Sequence, residues 1–216
     1  MFNRHVVVVE DEALLRDLIA KTLEANGFEV TTAANAADAA RAFRATDPDA
    51  VVLDVELGPG PNGFDFAESL HKTAPEVGIV FLTNLPDARF AGRETKDLPN
   101  KISYLRKSQL VDSNELIDAL EAVLHDSVGS GQRHDLDPNR PLSDLSKKQV
   151  SVLQLLAMGY TNSQIAEKRG TTVRAVEGII SRIFQALDID VQAEGNARVE
   201  AAATYLRASG KSLSDV

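Results

Sequence analysis

Hydrophobic positions follow two rhythms along the 216-residue chain. Through the first 126 residues, short continuous apolar runs alternate with stretches where apolar residues recur at three- and four-residue spacing. The runs at 6–9, 28–32, 50–53, 77–82 and 102–105 read as strands. Those at 6–9 and 50–53 carry no polar position on either face, the mark of a strand buried on both sides. Between them lie helical patterns. Leu14, Leu15, Leu18, Ile19 and Leu23 form one, closed by Asn26-Gly27. Asn35 opens an Ala-rich one that runs to Ala45. Two more cover 64–73 and 110–124, the last with Leu116, Ile117, Leu120, Val123 and Leu124 on one face. Strand–helix alternation repeated five times predicts an α/β fold, a doubly wound five-stranded parallel sheet with right-handed crossovers. One unit is poor. Residues 85–100 contain Pro86, Gly92 and Pro99 and few apolar residues, so a short or irregular helix is expected there.

The pattern then changes. Residues 127–143 are rich in Gly and Ser, then carry Pro138 and Pro141, and read as a linker. His125 and His134 are expected to be solvated in that polar stretch, since no metal-ligand spacing surrounds them. From 144 to 210 every pattern is helical. Ser146 caps a helix with Val150, Leu153, Leu156 and Ala157 inward, closed by Gly159. Thr161 or Asn162 opens a short helix, and Gly170-Thr171-Thr172 makes a turn. A longer helix follows over 173–187, and a last one over about 196–206. Short helix, tight turn, longer helix is the helix-turn-helix pattern, whose second helix enters the DNA major groove. The pattern alone fits a small protein-docking or dimerisation bundle equally well.

Composition narrows the classes. The absence of cysteine excludes disulfides, thiolate chemistry and Cys-based zinc sites. The Val run near the N-terminus is too short for a signal peptide or a membrane span, so a cytoplasmic protein with no membrane partner is expected. The net charge of -9 is uneven. Residues 1–140 hold 14 Lys and Arg against 24 Asp and Glu, and the remainder hold 9 against 8. The acidic part is a poor match for nucleic acid. The helical part is neutral enough to approach it, though far from a strongly basic footprint.

Candidate chemistry sits at the strand ends. In an open parallel sheet the carboxyl ends of the strands line the ligand crevice. The first strand ends in Glu10-Asp11, the third in Asp54 and the fourth in Thr83, and Lys107 lies just past the fifth. Three clustered carboxylates repel one another, and a hard dication such as Mg²⁺ relieves that repulsion. Asp54 is then a nucleophile for phosphorus, with Lys107 and the Thr83 hydroxyl placed to bind phosphoryl oxygens. Taken singly, each residue has a plainer reading: an acid at a strand end ordinarily caps a turn or helix, and a lysine is ordinarily a surface charge. The coincidence of acid, acid, hydroxyl and lysine at strands one, three, four and five is what outweighs those readings.

On these residues, the stretch 1–126 resembles a response-regulator receiver domain. The resemblance implies that Glu10 and Asp11 are metal ligands and that Asp54 is both ligand and phosphoacceptor. It makes the Glu56 backbone carbonyl a further ligand, gives Thr83 and Lys107 the phosphoryl group, and makes Tyr104 the aromatic switch residue. Four features depart from the family pattern: the Pro/Gly-rich loop 57–63, Asn84 after Thr83, Ser108 after Lys107, and the weak fourth helix of residues 85–100. The stretch 144–210, through Leu145-Ser146-Lys147-Lys148-Gln149 and 152–166, resembles the LuxR-type output domain of the NarL/FixJ group. Its recognition helix departs at Glu177, Gly178 and Ile179, leaving Lys168, Arg169, Arg174 and Arg182 as candidate DNA contacts.

Together the two resemblances imply a two-component response regulator. A histidine kinase would phosphorylate Asp54 with Mg²⁺ as cofactor, and a homodimer formed on activation would bind DNA to regulate transcription. Autophosphotransfer to Asp54 would be its only catalysis. The alternative is a phosphorylation-dependent signalling protein whose helical domain binds protein instead.

Overall fold

The computed structural model describes residues 4–99, 101–190 and 195–211. The chain divides into two compact units. The first comprises Met1–Asn84 and Lys96–Leu136, and the second Leu85–Thr95 and Asp137–Val216.

The first unit is the expected α/β sheet. Five parallel strands, β1 (His5–Val9), β2 (Glu29–Ala33), β3 (Ala50–Leu53), β4 (Gly78–Thr83) and β5 (Ile102–Arg106), lie in the order β2-β1-β3-β4-β5. The helices are α1 (Ala13–Ala25), α2 (Ala36–Thr46), α3 (Gly63–Thr73) and α4 (Asn114–Leu124). Alternate residues of each strand face opposite sides. Val6, Val8, Ala50, Val52, Val80, Leu82 and Leu105 join Ile19 and Leu23 of α1 and Leu116, Ala119, Leu120 and Val123 of α4 in one core. The other side buries Val7, Val9, Val51, Leu53, Ile79, Phe81 and Tyr104. Caps follow the sequence reading: Asn35 accepts from the Asp38 amide, and Asn26 ends α1. The closing helix starts four residues later than its apolar pattern suggested, because Lys107–Gln109 form a 3₁₀ turn and residues 110–113 lead into α4.

Among its described residues the poor unit contains no α-helix. Two 3₁₀ turns, Ala88–Ala91 and Thr95–Asp97, replace it. The expected linker is divided as well. Its part up to Leu136 packs with the sheet: Arg133 forms a parallel bridge with Tyr104 on the outer edge of β5, and Asp135 is fully buried against the Arg133 guanidinium at 2.8 Å. His134, expected to be solvated, is half-buried, and its Nδ1 accepts from the Arg106 amide at 3.0 Å. An exposed strand edge offers unpaired amides, and this segment satisfies one of them. His125 is exposed, as expected.

The second unit is helical: α5 (Lys147–Ala157), α6 (Asn162–Lys168), α7 (Val173–Ala186) and α8 (Ala197–Ser209). Ser146–Gln149 and Thr161–Gln164 form reciprocal capping boxes, and Thr172 caps α7. Val150, Leu153, Leu156, Ile165, Val176, Ile179, Ile183 and Ala201 are buried at its centre. Arg198 ties α8 to the start of α6, donating to the Asn162 side chain at 2.7 Å and the Tyr160 carbonyl at 2.8 Å.

Candidate functional site

The strand order reverses direction between β1 and β3, and that reversal opens a crevice beyond their carboxyl ends. Register pairs Val9 with Leu53, so the residues that follow, Glu10 and Asp54, emerge side by side. The Asp54 amide donates to the Val9 carbonyl at 2.9 Å and fixes that position. Glu10, Asp11 and Asp54 each offer a carboxylate oxygen, and these oxygens lie within 4.8 Å of one another. Glu10 and Asp54 are buried, while Asp11 is exposed.

Lys107 completes the cluster. β4 separates β5 from β3 by about 10 Å in total, within reach of a long side chain. Lys107 Nζ lies 2.6 Å from Glu10 Oε2 and 2.6 Å from Asp54 Oδ2. Burial pushes the Glu10 carboxyl up from its ordinary value; the Lys107 bond opposes that rise and the neighbouring Asp54 charge adds to it. Burial works against a charged Lys107, but Asp54 and Glu10 outweigh it and raise the ammonium. Three carboxyl groups face a single ammonium, and a divalent cation would offset their mutual repulsion. The donor set, all hard oxygen, fits Mg²⁺.

The remaining predicted residues divide. Glu56 turns its amide to the cluster, donating to Asp54 Oδ1 at 3.2 Å. Thr83 is fully buried at the end of β4, two residues beyond Phe81, which pairs with Leu53. Tyr104 is fully buried, its ring 5.9 Å from Phe81 and 6.4 Å from Phe64. Asn84 is exposed. Sequence reasoning placed Gly63 at the end of the loop 57–63 but missed its close approach to β3. A Cβ there would collide with the Asp54 carbonyl oxygen, so only glycine lets α3 start this close to the end of β3. The loop 57–62 before it gave no hint of that approach.

On the helical unit, Arg174 and Arg182 are exposed on α7. Lys168 Nζ stands 4.5 Å over the Tyr160 ring, and Arg169 donates to Ser151 Oγ at 2.9 Å. Arg169 is thus partly engaged in holding α6 to α5.

Residues 6–121 match the family described as response regulator receiver domain, more than half of the chain. The chain is a response regulator. Residues 143–194 of this response regulator match the bacterial regulatory proteins of the luxR family, which decides between the DNA-reading and docking-bundle readings of the helix-turn-helix. Relatives named oxygen regulatory protein NreC, from Staphylococcus haemolyticus and Staphylococcus aureus, are each 25% identical over 202 residues, 88% of this chain and 93% of theirs. A two-component response regulator of the LuxR family from Aurantimonas sp. is similar over 58% of this chain and 87% of its own, at 29% identity and TM-score 0.50. RcsB from Salmonella enterica serovar Typhimurium, in a structure bound to promoter rprA, shares the fold over 100% of both chains with TM-score 0.54 at 17% identity. The response regulator is thus a transcriptional one, with a receiver and a LuxR-type DNA-binding output. Among its described residues no helix is long and apolar enough to cross a membrane.

Proposed function

We propose that Asp54 accepts a phosphoryl group from a partner histidine kinase and that this controls DNA binding by the helical unit. The observation that carries the reading is the convergence of Glu10, Asp11 and Asp54 with Lys107. A carboxylate oxygen of Asp54 attacks phosphorus. The P–N bond of the kinase phosphohistidine breaks, and its electron pair stays on the imidazole nitrogen. Mg²⁺ held by Glu10, Asp11 and Asp54, with the Glu56 carbonyl, would supply positive charge against the phosphoryl oxygens. Lys107 passes from the carboxylates to a phosphoryl oxygen, and the Thr83 hydroxyl donates to another. Tyr104 is already buried, so its response is a repacking against Phe81 and Phe64 rather than an inward swing.

Leu14, Leu18 and Val111 are exposed apolar residues of the sheet unit and suit a docking kinase. Activation favours a homodimer that presents two α7 helices to paired half-sites, with Arg174, Arg182, Lys168 and Arg169 at the DNA. The working compartment is the cytoplasm, and the only catalysis is transfer to the protein's own Asp54.

Incubation with acetyl phosphate and Mg²⁺, read by intact mass, tests the reading. The wild type gains one phosphoryl group, while Asp54→Asn gains none. Labelling of Asp54→Asn to the wild-type level would overturn it.

A further inference from the structure

The connection between β4 and β5 is part of the helical unit. Residues 85–95 group with 137–216, although the strands on either side belong to the sheet. Six consecutive residues, 85–90, are buried without forming an α-helix. Asp87 is fully buried and held from two sides: Arg89 Nη2 lies 2.6 Å and Arg140 Nε 2.8 Å from its Oδ2. Arg89 reaches on to the Leu145 and Ser143 carbonyls at the entry to α5. The 3₁₀ turn Ala88–Ala91 packs on α5, and the Phe90 ring stacks on Tyr205 of α8 with centroids 5.6 Å apart.

These are the contacts of a packed interior. A buried carboxylate is strongly disfavoured unless it is paired this well, so the arrangement is held or lost as a whole. Only Asn84 separates Thr83 from the first residue of the segment. A shift of Thr83 is therefore delivered through the backbone to Asp87, four residues on. Packed contacts of this kind switch between discrete arrangements instead of deforming gradually.

We propose that residues 85–95 are a strap through which the phosphorylation site governs the output unit. With Asp54 unmodified, Asp87 is locked between Arg89 and Arg140, and Phe90 rests on Tyr205, holding α5 and α8 in the resting arrangement. Phosphorylation draws Thr83 toward Asp54 and lifts the strap from both helices. This rests on the phosphoacceptor reading of Asp54, and it adds a route that needs no helix between β4 and β5.

Hydrogen–deuterium exchange on the full chain, with and without acetyl phosphate and Mg²⁺, tests it, with intact mass recorded on the same samples. The amides of Arg89, Phe90, Gly92 and Arg93 report the strap, since each is hydrogen-bonded within it. On phosphorylation they exchange about tenfold faster, and the α8 segment around Tyr205 follows. In Phe90→Ala they exchange fast without phosphate. The double variant Phe90→Ala/Asp54→Asn then binds DNA, selected from a random pool by the phosphorylated wild type, as tightly as that wild type does. A purely structural strap would instead weaken binding in that variant. If Phe90→Ala does not fold, exchange in the wild type decides alone. A chain that gains its phosphoryl group yet keeps strap exchange unchanged overturns the strap and leaves Asp54 as acceptor. A chain that gains none overturns both.

Discussion

The Asp54 carbonyl leaves no room for a methyl group at position 63, and the Asp54 carbonyl carbon and Val55 Cα crowd the same point at 2.9 Å. Gly63→Ala must therefore push α3 off β3 or move Asp54 itself. Overpacking of this kind costs about 1–3 kcal/mol. The variant should melt earlier and also accept phosphate from acetyl phosphate more slowly, because the same displacement moves Asp54, the proposed phosphoacceptor. A normal phosphorylation rate in a destabilised Gly63→Ala would mean that Asp54 does not depend on this contact. Asp87 makes a second prediction at this scale. Burial would raise its carboxyl, but bonds and charge from Arg89 and Arg140 prevail and hold it below the ordinary value of about 3.9. A carboxylate depressed in the folded state contributes stability above its unfolded pKa and loses it as pH falls through the folded one. The urea midpoint of the wild type should thus exceed that of Asp87→Asn at pH 7, with the gap closing below about pH 4. Removing one partner of a buried pair costs about 3–5 kcal/mol, so the gap at pH 7 is large enough to measure.

Among the elements, α7 carries an unusual residue for its place. Gly178 lies inside the helix, exposed, with nothing within 4 Å of where a Cβ would be. No internal packing requires it, yet glycine costs about 1 kcal/mol against alanine in a helix interior. Gly178→Ala should raise the melting temperature of the full chain, and Thr172→Ala, which removes the cap of α7, should lower it by a similar free energy of about 1 kcal/mol. A Gly178→Ala chain no more stable than wild type would show that the helix already accommodates glycine without cost. The elements also show which parts of the structure can be read from the chain. β1 and β3 were legible because a strand buried on both faces must be apolar at every position. The acids that end them were legible because strand order follows from the alternation. α5 and α6 were legible through Ser146 and Thr161, whose caps act within four residues. The strap was not. Pro86 and Gly92 announce irregular backbone, but beside the local Arg89 the second partner of Asp87 is Arg140, 53 residues away, and no local pattern encodes such a pair. The 127–136 segment was misread for a related reason: its Gly and Ser suggest a free linker, while its docking depends on the open edge of β5 and the buried Arg133–Asp135 pair.

For the whole molecule, the consequence is that the chain passes between the two units at three points: after Asn84, after Thr95 and after Leu136. A protein with one flexible joint falls into two independent pieces when that joint is cut. Here a cut at the exposed Pro138–Asn139 bond would leave residues 85–95 attached to the sheet, yet still packed in the helical unit by Asp87 with Arg140, Arg89 with Leu145, and Phe90 with Tyr205. A protease site inserted after Pro138 should therefore give two fragments on a denaturing gel that travel together through size exclusion at micromolar concentration. Phe90→Ala in the same nicked protein removes the ring stack, and emptying such a site costs about 3–5 kcal/mol, a hundredfold or more in affinity. The nicked variant should then elute as separate pieces. Co-elution that survives Phe90→Ala would place the hold elsewhere, and separation of the nicked wild type would show that the strap binds the helical unit too weakly to act on it.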